Sequence, residues 1–118
     1  MAEKKSTINL GDLNINKILT VSTGHVTQQD MAKLKDRGPF NPVVTYPFEY
    51  GAFVWVPSFS TNENQDKKEM REAFNGMRQA GYSGAFRRLL SLAKEQGCRY
   101  LQLDCDGEYI PDLKTFSW

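Results

Sequence analysis

Apolar and polar positions change period several times along this chain, and each change marks an element. The segment INKILTVS, residues 15–22, is rich in β-branched and aliphatic side chains and predicts a first strand. The loop STGHVT follows. Thr27 is a helix N-cap type, and Asp30 three positions later complements the exposed amides. A short helix over 28–36 is expected, with Met31 and Leu34 on one face and Gly38-Pro39 as its stop.

The most apolar stretch is 40–59. Val43–Tyr46 and Tyr50–Val56 read as two strands, with Pro47 between them and Pro57 closing the second. In the second strand Ala52, Val54 and Val56 point one way, and Phe53 and Trp55 point the other. Both faces are apolar, which predicts a central strand covered on both sides. The competing reading is a sheet with one face left for a partner.

Residues 60–67 are polar and predict a loop. Asp66 with Glu69 resembles a capping box, and Met70, Ala73, Phe74 and Met77 then follow helical spacing. The next helix is the clearest element. Ser83 caps it, Phe86, Leu89, Leu90 and Ala93 form its stripe, and Gly97 ends it. The strand RYLQLDC follows, with Leu101 and Leu103 on one face. Asp106-Gly107 is a hairpin signal leading to a last short strand at 108–110. The order β-α-β-β-α-α-β-β predicts one α+β domain over 1–118. Its sheet is expected to be mixed or antiparallel, with two to three helices packed on one face. Residues 1–13 are polar and expected to be flexible.

Composition narrows the class. Hydrophobic residues at 40% and charged residues at 25%, with seven Phe, five Tyr and two Trp, support an ordered core without staples. No apolar run reaches the length of a membrane span, and the N-terminal residues lack a signal-peptide core. Two cysteines spaced C-x6-C give neither a disulfide framework nor a zinc site. A cytoplasmic protein with reduced thiols and no membrane partner is expected.

Net charge is +1, but its distribution is uneven. Residues 66–99 carry eight basic side chains, Arg87 and Arg88 among them, against Asp66, Glu69, Glu72 and Glu95. Residues 100–118 carry Asp104, Asp106, Glu108 and Asp112 against Lys114 alone. The plain expectation is that the two segments neutralise each other in space, and the alternative is a basic docking face.

No pattern fixes a chemistry. GYSGA at 81–85 lacks the downstream glycine spacing of a nucleophile elbow, so Ser83 reads as a cap. His25 is the only histidine and lies in a loop, where binding residues often sit. Asp104, Asp106 and Glu108 share a side of extended backbone and could hold a hard cation, but turn chemistry explains them without a metal. No phosphate loop, H-E-x-x-H or zinc spacing occurs. No catalytic residue, cofactor or metal is assigned. The candidate binding residues are His25, Tyr50, Trp55, Arg87, Arg88, Asp104 and Asp106.

The stretch GYSGAFRRLLSLAKEQGCRYLQLDCDGEYIPDLKTFSW, with STGHVT and EYGAFVWV ahead of it, resembles a family of small uncharacterised bacterial proteins. Members of that family are carried on plasmids, prophages and other mobile elements. The resemblance covers more than half of the chain in the same order and implies an accessory protein without a known activity. It directs interest to His25, Tyr50, Gly51, Asp104, Asp106 and Gly107. Cys105 stands where the family leads one to expect a basic or polar residue, which argues against a thiol mechanism.

Three functions follow in order. The first is a non-enzymatic accessory domain binding a protein partner or a second copy, tied to a mobile element. The second is weak nucleic-acid binding through the basic helices of 66–96. The third is a small-molecule or hydrolytic site around His25 and the Asp104/Asp106 turn.

Overall fold

Alternating side chains in four short segments build the sheet. In the computed structural model, which describes residues 9–59 and 61–118, the strands are β1 (Ile18–Ser22), β2 (Thr45–Phe48), β3 (Gly51–Trp55) and β4 (Tyr100–Asp104). They form one mixed sheet in the order β1-β4-β3-β2. β1 runs parallel to β4 with Val21 beside Leu103, and β4, β3 and β2 are successively antiparallel. The helices are α1 (Gln28–Leu34) after β1, then α2 (Glu63–Gln79) and α3 (Gly84–Glu95) between β3 and β4. This is the expected α+β order through β4.

The core lies on one side of the sheet. Val21, Ala52, Val54, Leu101 and Leu103 alternate inward from three strands and are fully buried. Leu34 of α1, Met77 of α2 and Phe86, Leu89, Leu90 and Ala93 of α3 close over them in the same cluster. Each large side chain buried this way contributes roughly 1.5–3 kcal/mol.

One buried carboxylate ties two helix starts together. Thr27 caps α1, and Asp30 returns the bond by accepting from the Thr27 N–H at 3.0 Å. Asp30 also accepts from the Ser83 N–H at 2.9 Å and from the Ser83 hydroxyl at 2.5 Å. Ser83 in turn accepts from the Phe86 N–H at 3.1 Å, capping α3. A carboxylate without solvent exposure is tolerated here because its oxygens are satisfied by three donors. Beside it, Tyr82 donates to Asn41 Oδ1 at 2.8 Å, and burial pushes its phenol up to about 12.

Several boundaries differ from the sequence expectation. α2 starts a turn earlier, because Asn62 and not Asp66 is its N-cap, accepting from the Gln65 N–H at 3.0 Å. Asp66 instead accepts from the Phe59 N–H and pairs with Lys94 at 2.8 Å. Pro47 lies inside β2 and not between strands, which an edge strand tolerates because no ladder bond is required on its outer side. The expected strand at 108–110 does not form. β4 already has β1 on one side and β3 on the other, so no edge is open to a returning hairpin.

The segment after β4 becomes a tail strapped to the loop after β1. The Ser22 N–H donates to Glu108 O at 2.9 Å, the Phe116 N–H to Gly24 O at 2.8 Å, and Trp118 Nε1 to Val26 O at 3.0 Å. Of the expected flexible stretch 1–13, residues 1–8 lie outside the described residues. Leu10–Asp12 form an exposed 3-10 turn capped by Asn9.

Candidate functional site

The strands that bury aliphatic side chains on one face turn aromatic and polar ones to the other. β3 was expected to be covered on both sides, but all three helices lie over the Ala52 and Val54 face. The opposite face carries Tyr46 and Phe48 from β2, Phe53 and Trp55 from β3, and Tyr100 and Gln102 from β4. Ile18 and Thr20 of β1 complete it. Tyr46 is 43% exposed, and Phe48, Phe53, Trp55 and Tyr100 are half-buried by one another.

The ring contacts fix this face. Phe48 and Phe53 lie with centroids 5.4 Å apart, and Tyr46 meets Tyr100 edge-on at 6.4 Å. Trp55 stands edge-on to Phe59 at 6.1 Å, and the Arg37 guanidinium lies 5.4 Å over the Tyr46 ring. A polar chain crosses the β1–β4 half. Thr20 donates to Gln102 Oε1 at 3.1 Å, and Gln102 donates to Asp104 Oδ2 at 3.3 Å. At the Trp55 end a hollow of about 410 Å³ opens between Trp55, Pro57, Cys98 and Arg99.

The residues singled out from the sequence do not converge on one centre. Tyr50 and Asp104 come together, because Tyr50 turns the β2–β3 hairpin and its carbonyl accepts from the Cys105 N–H at 2.9 Å. Gly51 sits opposite Asp104, and a Cβ there would overlap the Leu103 carbonyl oxygen. Trp55 lies at the far end of the same strand, roughly 13 Å along at extended rise. Gly107 is a second close approach, since a Cβ would stand 2.5 Å from the Val21 carbonyl carbon.

His25 is a structural latch. It is 1% exposed, Ile110 donates its N–H to Nε2 at 2.7 Å, and Nδ1 lies 2.8 Å from Lys114 O. A backbone N–H can only donate and a carbonyl can only accept. Nδ1 therefore carries the proton and the ring is neutral. Tyr109 packs edge-on at 5.3 Å. Neither nitrogen is left for substrate, and the hollow beside His25, about 90 Å³, is lined by Ala85, Arg88, Leu89, Leu113 and Lys114 without a carboxylate.

The acidic turn is likewise accounted for. Asp104 Oδ1 accepts from the Asp106 N–H and Asp104 O from the Gly107 N–H, both at 2.9 Å, so the aspartates shape the turn. Ligand atoms of half-buried Asp104 and exposed Cys105 and Asp106 lie within 4.8 Å of one another. Local desolvation, and behind it the charge of Asp106 and Asp104, pushes the Cys105 thiol up, the wrong direction for a nucleophile.

The basic pair separates. Arg88 faces the tail beside His25, while Arg87 faces α2 and shares a hollow with Arg71 and Arg78. None of Asp104, Asp106, Glu108 or Asp112 is ion-paired with a described basic residue of 66–99; Lys94 pairs with Asp66 and Lys67 with Glu63. The expected mutual neutralisation therefore does not occur by direct pairing. Sequence reasoning placed Phe53 beside Trp55 on one face but missed Tyr46 and Tyr100 as their companions. The period-two alternation of β2 and β4 was the signal that could have found them.

Residues 18–118 match the family described as Family of unknown function (DUF5983) C-terminal domain. No curated protein and no solved structure matches the chain. The chain belongs to the DUF5983 family.

Proposed function

We propose that this DUF5983 member is a non-enzymatic accessory module that docks a protein partner on the open aromatic face of its sheet. The observation that carries this reading is the partly exposed row Tyr46, Phe53, Trp55 and Tyr100, opposite the face on which the helices pack. Amphipathic aromatic rings clustered on a rigid sheet supply large contact area at little entropic cost, the composition favoured at protein interfaces. The residues that could have supported chemistry have structural work instead. His25 holds the tail, Ser83 caps α3, and Asp104 and Asp106 shape a turn.

The bacterial cytoplasm and a role attached to a mobile genetic element belong to the same proposal. Both are supported by the resemblance of STGHVT, EYGAFVWV and the C-terminal block. The experiment is affinity purification of tagged wild type and a Phe53→Ser/Trp55→Ala variant from bacterial lysate, with and without nuclease, at low and high salt. A discrete partner retained by wild type through nuclease and salt, and lost by the variant, supports the reading. A partner retained equally by a folded variant overturns it. Self-association of wild type that the variant abolishes identifies the partner as a second copy.

A further inference from the structure

α2 places Arg71, Phe74, Asn75 and Arg78 at spacings of three and four residues, so they share one helical face. That face looks toward α3, and Arg71, Arg78 and Arg87 line a hollow of about 440 Å³ with Phe74 and Glu72. A second hollow of about 630 Å³ continues along the same two helices past Met70 and Ser91. Arg71 and Phe74 line both, so the two form one groove.

The two ends of the groove differ in charge. At the Met70 end Lys67 and Lys94 are paired with Glu63 and Asp66. At the other end no described carboxylate lies within 4.0 Å of Arg71, Arg78 or Arg87. Arg78 donates to the neutral Asn75 at 2.9 Å, and Arg87 Nε is buried without any acceptor. Three guanidinium groups line this hollow against the single carboxylate of Glu72, so positive charge is in excess and the guanidinium groups repel each other, and an unmet buried donor is itself unfavourable. An incoming carboxylate relieves the repulsion, and guanidinium binds it in a bidentate fork.

We infer that the α2–α3 groove docks an acidic amphipathic segment of a protein partner, its carboxylates on Arg71, Arg78 and Arg87 and its apolar side chains on Phe74 and Met70. The apolar floor is what favours such a segment over a nucleic-acid backbone, which would use the arginines and leave Phe74 unused. This surface is separate from the aromatic sheet face, and neither proposal depends on the other.

The test is fluorescence anisotropy with a labelled helical peptide carrying Leu along one stripe and Glu elsewhere. A matched peptide with Lys for Glu and a labelled oligothymidylate serve as rivals. The Glu peptide is expected to bind the full chain and the Lys peptide to fail. Reversing Arg71→Glu and Arg78→Glu is expected to weaken binding at least about tenfold. Arg71 and Arg78 are exposed, and circular dichroism checks that the variant folds. Should it not fold, the pair Arg71→Gln and Arg78→Gln replaces it under the same criterion. Undiminished binding in a folded variant overturns the inference, as does tighter binding of oligothymidylate through the same arginines.

Discussion

The two faces of the sheet come from the same four strands, yet they differ in every physical respect. Leu101 and Leu103 point inward with no exposure, while Tyr100 and Gln102, interleaved with them on β4, remain partly in solvent. The inner face is aliphatic and meets three helices; the outer face combines aromatic rings on β2, β3 and β4 with a polar chain from Thr20 through Gln102 to Asp104. Aliphatic side chains gain only from removal from water, so they define the core. Aromatic rings with polar neighbours tolerate the boundary and keep their edges available for another surface. The fold is thus carried by one face, and the other is left partly in water.

The strongest way to break this comparison is truncation on both faces. Leu103→Ala is expected to destabilise by about 3–4 kcal/mol, from lost transfer energy and a residual cavity. Phe53→Ala on the outer face should cost no more than about half of that, because its ring already meets water. Urea denaturation of both variants measures the difference, and equal losses would mean that the outer face is covered after all.

A smaller effect sharpens the helix side. Asp30→Ala leaves the Thr27 N–H, the Ser83 N–H and the Ser83 hydroxyl without their acceptor, and should cost about 2–3 kcal/mol. Thermal unfolding reads it, and Ser83→Ala should show partial non-additivity with it because the two share bonds. Simple additivity would show that the two caps act independently.

The smallest effect is visible only in alkali. The Tyr82 phenol is raised in the folded state, from about 10 to about 12. The folded protein holds this proton more tightly than the unfolded chain does. Its contribution is complete below about pH 10 and is lost as pH rises toward about 12. Tyr82→Phe should flatten the fall in stability over that window. An unchanged slope would place the alkaline transition elsewhere.

Local chemistry made much of the fold legible. Thr27 with Asp30, Ser83 as a cap and the stripe of α3 each use signals within four residues, the range over which a helix turn closes on itself. The period-two segments of β3 and β4 are equally local. The covered face was the reverse case. Phe53 and Trp55 were read as apolar and therefore buried, because sequence alone does not say how many layers a sheet will have.

What only the tertiary structure decided depends on partners far apart in the chain. β4 occupies the middle of the sheet, and that position forbids the hairpin which Asp106-Gly107 announces locally. His25 finds its two bonds at Ile110 and Lys114, more than eighty residues away, and becomes a latch and not a ligand. Arg87 and Arg88 are adjacent in sequence, but successive helical side chains diverge by about 100°, so one meets α2 and the other the tail. The sequence by itself determined where α1 and α3 begin and which side chains of β3 and β4 alternate. Only packing decided which alternating set was left in water, because burial belongs to contacts between distant segments and not to any one of them.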